Sequence, residues 1–164
     1  MSTTVPPKVT AIVATILGPR SEASRNTRTD EISGCVRSIL ANPYEPLSVV
    51  VVDQSPSDAV STALQPLLAA DARLRYLHTD IAGMSRAQNL AINRSDADFF
   101  AITDDDCVVP PDWIENIVAT FQRHPDAGVL FGDVRPPAGH DWATSYVPRL
   151  HFPRERRLPP SFLP

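Results

Sequence analysis

Three consecutive carboxylates, Asp104-Asp105-Asp106, close a short apolar run, Phe99-Phe100-Ala101-Ile102-Thr103, that follows Asp98. Like charges set side by side repel one another, and a clustered set is stabilised by a cation. Hard carboxylate oxygens suit Mg²⁺ or Mn²⁺, and Mg²⁺ is typically shared between one or two carboxylates and the phosphates of a substrate. The chemistry indicated is metal-assisted handling of a phosphorylated compound. A fourth carboxylate, Asp53, ends a second apolar run, Leu47-Ser48-Val49-Val50-Val51-Val52. Carboxylates at the C-terminal ends of strands lie where open α/β sheets place their ligands. The competing reading of a bare acidic triplet is a solvated loop. The strand pattern before it and the helix-opening Pro110-Pro111-Asp112 after it weigh against that.

The elements that must position these groups alternate along the chain. Lys8 to Ala14 is rich in β-branched residues and predicts a first strand, ending at Ala14-Thr15. Residues 15–29 predict a long polar loop with Arg20, Arg25 and Arg28, and Asp30 is the expected cap of a helix with Ile32, Cys35, Val36, Ile39 and Leu40 on one face. After the strand ending in Asp53, Ser57 caps an expected second helix through Val60, Leu64, Leu67 and Leu68, kinked or restarted at Pro66. A short strand over Leu74 to His78, a helix over Gly83 to Asn93, the strand before the acidic triplet, and a helix with Trp113 or Ile114, Ile117, Val118 and Phe121 inward then follow. Gly128 to Gly132 predicts a last strand. Continuous apolar strands alternating with helices imply βαβ units: an α/β fold of three layers, α/β/α, with a Rossmann-like, mostly parallel sheet.

Composition narrows the class. The 164 residues suit one domain, and 43% hydrophobic with 21% charged residues is ordinary for a globular protein. A net charge of −4 gives no reason to expect nucleic acid. Cys35 and Cys107 fit no zinc or redox spacing and are expected to be reduced thiols, with Cys107 beside the acidic run by accident. No apolar run approaches membrane-spanning length, and no signal-peptide pattern opens the chain, so the expected location is the cytoplasm. A Rossmann dinucleotide site is disfavoured because no Gly-x-Gly-x-x-Gly follows a strand, and the Gly-Lys-Ser/Thr of a P-loop is missing. A Mg²⁺ phosphotransferase would need a nucleophilic Asp near the first strand, which has none.

The ordered set of a strand ending Ala14-Thr15, the run Val49 to Asp58, the segment Asp80-Ile81-Ala82-Gly83-Met84-Ser85-Arg86-Ala87-Gln88-Asn89, and Asp104-Asp105-Asp106 with Pro110 and Trp113 resembles the nucleotide-sugar-binding half of family 2 glycosyltransferases, which have the GT-A fold. The likeness runs from about Lys8 to Pro136. It implies a nucleotide-diphospho-sugar donor, Mg²⁺ or Mn²⁺, and transfer of the sugar to an acceptor hydroxyl, in inverting fashion. Position by position, it places Thr15 near the base, Asp53 and Asp58 at the ends of the family's Asp-Asp-Gly-Ser-x-Asp segment, and Arg86 near the base and phosphates. Asp104 and Asp106 match the ends of an Asp-x-Asp motif: Asp104 and Asp105 stand on the substrate side, and Asp106, with Asp104, holds the metal. A cation there would stabilise the charge that develops on the leaving diphosphate.

The chain departs from the family pattern at Gln54, where a second carboxylate often contacts the base; an amide can still bond a base edge as donor and acceptor. The aromatic-Asn-Arg sequence usual after Thr15 is replaced by Ile16-Leu17-Gly18-Pro19-Arg20. The family's catalytic base, an Asp or Glu well downstream, has no clear counterpart. Asp133, at the end of the expected last strand, is the candidate, ahead of Glu115, Asp126, Asp141 and Glu155. The expected organisation is a disordered lead over 1–7, a donor-binding domain over 8–136, and a Pro/Arg-rich tail over 137–164 that begins a truncated acceptor region. The acceptor class stays open among saccharide, lipid carrier and small molecule. A weak contact of the tail arginines with the cytoplasmic membrane face is the alternative to a purely cytoplasmic place. The rival function is a nucleotide-sugar-binding module that does not transfer.

Overall fold

The structure is a computed structural model and describes residues 5–18, 22–136 and Arg154. The chain divides into two units, Met1–Pro125 and Asp126–Pro164. The first is built from β1 (Val9–Thr15), α1 (Glu22–Leu40), β2 (Leu47–Asp53), α2 (Ala59–Ala70), β3 (Leu74–His78), α3 (Met84–Ile92), β4 (Phe99–Thr103) and α4 (Trp113–Arg123). The strands form one parallel sheet in the order β3-β2-β1-β4.

Burial explains the layering. In the central strand β1, Val9, Ala11 and Val13 point to one face and Ile12 to the other. The first face packs on Ile32, Val36 and Ile39 of α1, Val60 and Leu64 of α2, and Ile114 and Val118 of α4. The second packs on Ala87 and Ala91 of α3, joined by Val50 and Val52 of β2. Both faces are covered, which is why β1 and β2 read as unbroken apolar runs. The three-layer α/β/α expectation is met. Register then aligns the strand ends: Thr15 pairs with Asp53, Asp53 with His78, and Val13 with Thr103. Both acidic strand ends therefore meet at one edge of the sheet.

Four local expectations are corrected. The helix expected from Asp30 starts at Glu22, so Arg28 is helical rather than in a loop. Thr27 Oγ1 donates to the Ala23 carbonyl and Thr29 Oγ1 to that of Asn26, so hydroxyls that often compete with a helix are bonded within it. The N-cap of α2 is Asp58 rather than Ser57, and of the kink or restart expected at Pro66 the restart does not occur, since α2 runs through it as one helix. Pro66 and Thr62 are both exposed, so the ring and the carbonyl it deprives of a partner face solvent. Gly128 to Gly132 forms no strand. Val129 and Phe131 are 51% and 64% exposed, and a run without cover or a ladder partner among the described residues does not hold an extended pairing.

In the second unit, Val134 makes a single-residue bridge and Asp133 pairs with Arg135 at 2.8 Å. Of the lead, residues 5–7 are described, and the Pro7 carbonyl accepts from Tyr44 Oη at 2.8 Å. The tail lies outside the described residues apart from Arg154, as do Arg20 and the side chain of Arg25. Among the described residues no helix is long and apolar enough to cross a membrane.

Candidate functional site

Beyond Thr103 the chain leaves the sheet, and its three carboxylates alternate. Asp104 and Asp106 are exposed, while Asp105 turns inward, its side chain 13% exposed. The middle residue is held by two donors. Thr15 Oγ1 donates to Asp105 Oδ2 at 2.5 Å, and Arg28 donates to Asp105 Oδ1 at 2.6 Å. Arg28 also pairs with Glu31 at 2.6 Å and stands 4.0 Å from Asp106. Burial works against the Arg28 charge, but its hydrogen bonds to Asp105 and Glu31 outweigh that and raise its pKa above the ordinary value. With Asp105 pinned, its two neighbours face outward, and their carboxylate oxygens gather within 4.8 Å of one another and of Cys107 Sγ. Two hard oxygen ligands with open positions beside them fit Mg²⁺ or Mn²⁺, which keep several sites for water and phosphate.

α1 grips the same segment along a polar stripe. Beyond Arg28, Cys35 Sγ donates to the Asp104 carbonyl at 3.4 Å, and Ser38 Oγ accepts from the Val109 amide at 3.0 Å. Asn42 accepts from the Ile114 amide at 3.1 Å and donates to the Pro110 carbonyl at 3.4 Å. Cys35 and Ser38 share one side of the helix by spacing, and Asn42 follows just past its C-terminal end. Burial first, then the charges around Asp104, Asp105 and Asp106 together with Cys107, pushes the Cys35 thiol up to about 12, so it remains a protonated donor.

The acidic triplet borders a cleft of about 370 Å³ whose lining includes Thr15, Ile16, Arg28, Gln54, Gly83 and Met84. Gly83 opens α3 at φ 134°, a conformation that favours glycine, and its amide donates to Gln54 Oε1 at 2.6 Å. Arg86, on the first turn of α3, is exposed; its side chain folds toward Gly83 and makes no hydrogen bond or ion pair among the described residues. Met84, at the start of α3, is 60% exposed at the cleft, while Ala87 and Ala91 of the same helix are buried.

Asp53 sits beneath this cleft and does not line it. It is fully buried; Oδ1 accepts from the Ser55 amide at 2.8 Å and Oδ2 from Tyr76 Oη at 2.6 Å. Burial, and then the bond to Asp53, raises the Tyr76 pKa. Asp58 lines a separate hollow with Ser55, Ser57, Ser61, Tyr76 and His78. Thr15, Gln54 and the acidic triplet thus come together, Arg86 lies near their rim, and Asp53 supports them from below. Asp133 belongs to the second unit. In the sequence Arg28 is one of several arginines in an expected loop and Cys107 an incidental neighbour of the acidic run; the extension of α1 to Glu22 brings Arg28 to the triplet.

The Glycosyl transferase family 2 model matches residues 24–160. A glucosyl-dolichyl phosphate glucuronosyltransferase of Haloferax volcanii is 30% identical over 115 residues, 70% of this chain and 36% of that protein. An N-acetylglucosaminyltransferase of Azorhizobium caulinodans is 30% identical over 131 residues, 78% of this chain and 30% of that protein. Among solved structures, the mannosyltransferase PcManGT from Pyrobaculum calidifontis, in complex with GDP-Man and Mn²⁺, superposes with a TM-score of 0.60 at 26% identity, covering 72% of this chain and 33% of that one. The chain spans about a third of the length of these relatives. The parallel sheet with its acidic edge is that of a GT-A glycosyltransferase, and the chain belongs to glycosyl transferase family 2.

Proposed function

We propose that this chain is the donor-binding part of a glycosyltransferase that moves a sugar from a nucleotide-diphospho-sugar to an acceptor hydroxyl, assisted by Mg²⁺ or Mn²⁺ and with inversion. One observation supports this above the others. Asp104 and Asp106 face outward together at the C-terminal edge of a parallel sheet, beside a cleft of about 370 Å³ that Thr15, Gln54 and Gly83 also line. Asp104 and Asp106 would hold the cation, which supplies charge neutralisation to the departing diphosphate. Asp105 orients them from inside, tied to Thr15 and Arg28. Gln54 offers its amide to the base, and Arg86, near the rim, adds positive charge for the phosphates. Asp53 keeps the turn after β2 in shape through Ser55 and Tyr76. In this reading Asp133 takes the proton of the acceptor hydroxyl, and the acceptor is a saccharide, a lipid carrier or a small molecule. The GDP-Man and Mn²⁺ bound by the Pyrobaculum relative support the donor class and the cation. The reading places the chain in the cytoplasm or at the cytoplasmic membrane face.

Calorimetric titration with UDP, GDP and dTDP, each with and without Mn²⁺, tests it. The expected result is binding of one diphosphate that requires the cation and vanishes in Asp106→Ala, while the circular dichroism of that variant is unchanged. Unaltered affinity and metal dependence in Asp106→Ala would sink the assignment. Binding with no sugar release or transfer would favour the non-catalytic module instead.

A further inference from the structure

The two outward carboxylates have a soft neighbour. Cys107 is half-buried, and its Sγ lies within 4.8 Å of a carboxylate oxygen of both Asp104 and Asp106. The chain folds back to bring it there: the Cys107 amide donates to the Asp104 carbonyl at 3.4 Å, and Sγ stands 3.9 Å from Asp106 Oδ1. The other cysteine of the chain, Cys35, is buried in the core and spends its thiol on the Asp104 carbonyl. Cys107 is therefore the thiol within reach of an ion held by the pair. On one tetrahedral Zn²⁺, with Zn–S of about 2.3 Å and Zn–O of about 2.1 Å, neighbouring ligand atoms stand roughly 3.5 Å apart. Asp104 and Asp106 are exposed, and small side-chain rotations close the difference. The three groups do not suit the same ions. Mg²⁺ and Mn²⁺ favour oxygen and gain nothing from sulfur, whereas thiolate selects Zn²⁺.

We propose that Cys107 is a third, ion-selective ligand: Asp104 and Asp106 alone hold Mg²⁺ or Mn²⁺, and all three residues hold Zn²⁺. The thiol proton passes to water as the sulfur–zinc bond forms. A tetrahedral ion on three protein ligands keeps one position open, where an octahedral ion on two carboxylates keeps several. Zn²⁺ thus displaces the ion that serves a diphosphate without offering the same room for phosphate oxygens, and acts as its antagonist. The inference rests on the cation-site reading above and adds to it a soft ligand and a competing ion.

Zn²⁺ outranks Mn²⁺ at almost any site of nitrogen, oxygen or sulfur ligands, so the informative quantity is how far that preference depends on the thiol. The test titrates the full chain, free of thiol reductants, with Co²⁺ as a visible stand-in for Zn²⁺, and then displaces bound Mn²⁺ with Zn²⁺ while free Mn²⁺ is read by electron paramagnetic resonance. Wild type should show the near-ultraviolet charge-transfer band of a cobalt thiolate, and Cys107→Ser and Asp106→Ala should both lack it. The ratio of Zn²⁺ to Mn²⁺ affinity should fall roughly tenfold or more in Cys107→Ser, since even the partners that orient a ligand are worth about 10–100-fold. That ratio is read within each protein, so a general loss of affinity in the variant does not mimic the effect. No thiolate band in wild type, a band that survives Cys107→Ser, or an unchanged ratio overturns the role of Cys107, while Mn²⁺ binding leaves the cation site standing. Failure of wild type to bind any of the three ions overturns the cation site and this inference with it.

Discussion

Arg28 does not contact the outward pair of carboxylates closely, yet its removal should weaken a cation held there. The Arg28–Asp105 pair is mostly shielded, with side chains 21% and 13% exposed at a separation of 2.6 Å. Removing one partner of a fully buried pair costs about 3–5 kcal/mol, whereas an exposed pair is worth about 0–1 kcal/mol. For this partly shielded, charge-assisted bond the cost of Arg28→Ala should be about 2 kcal/mol. The bond to Glu31, whose side chain is 43% exposed, adds little to that. In a chain of this size 2 kcal/mol corresponds to a fall in Tm of about 4–8 °C. Asp105→Asn should destabilise comparably, and the double variant should cost clearly less than the sum, because the second change removes an interaction already gone. The metal readout carries the sign. Arg28 stands 4.0 Å from Asp106, so if it acted only as a nearby positive charge, deleting it would tighten Mn²⁺ binding. If it acts as a tether that keeps Asp105 inward, deleting it frees the triplet to rearrange and loosens Mn²⁺ binding. Urea unfolding of the four proteins and titration of free Mn²⁺ by electron paramagnetic resonance measure the two effects. Additive stabilities, or tighter Mn²⁺ binding in Arg28→Ala, would refute the tether.

Two further outcomes follow from buried or shielded carboxylates away from the triplet. Tyr76→Phe removes the phenol that donates to fully buried Asp53 and should cost about 2 kcal/mol in urea unfolding, against under about 0.5 kcal/mol if the bond is incidental. Because the folded-state pKa of Tyr76 is raised by burial and by Asp53, its contribution is whole below about pH 10, the unfolded value, and is lost as pH climbs toward the folded one. Tyr76→Phe should therefore show a shallower alkaline loss of stability than wild type, and matching slopes would count against the buried pair. Asp71, hydrogen-bonded by the Arg73 side chain and backbone, has a lowered pKa, so its contribution is present above about pH 4 and fades as pH falls toward the folded value. Asp71→Asn should lose less stability on acidification than wild type; an equal loss in acid-titration melts would contradict this.

The strands were legible because their chemistry is redundant. Val49, Val50, Val51 and Val52 are covered from both faces, so every position had to be apolar, and the strand bounds follow. The inner face of α1 was equally plain from Ile32 onward, where Ile32, Val36 and Ile39 repeat at helical spacing. Its first turns were not, because residues 22–29 carry almost no apolar side chain and their helix rests on hydroxyl back-bonds and on Arg28 reaching a residue 77 positions away. Long-range ion pairs leave no periodic trace in a sequence. The same limit hid the division of labour in the triplet, since spacing alone does not say which carboxylate turns inward. Gln54 stood out as a departure from the family pattern, but the polarity of its amide depends on Gly83, whose φ of 134° aims an N–H at it.

The extension of α1 has a physical logic that joins fold to site. Three adjacent carboxylates cannot organise themselves: left in a free loop, they would spread apart into water. A cation site needs two of them turned the same way before the cation arrives, or binding must also supply the ordering. The stripe Arg28, Cys35 and Ser38, with Asn42 just past the end of α1, provides that order by fixing the Asp105 side chain, the Asp104 carbonyl, the Val109 amide and the start of α4 to one helix and its C-terminal turn. The helix is itself anchored by Ile32, Val36 and Ile39 in the core. One face of α1 thus buries apolar surface while an adjacent stripe sets the geometry of the acidic edge. A helix starting at Asp30 would have kept the grip of Cys35, Ser38 and Asn42 but not that of Arg28, and Asp105, the residue that decides which way its neighbours point, would be held by Thr15 alone.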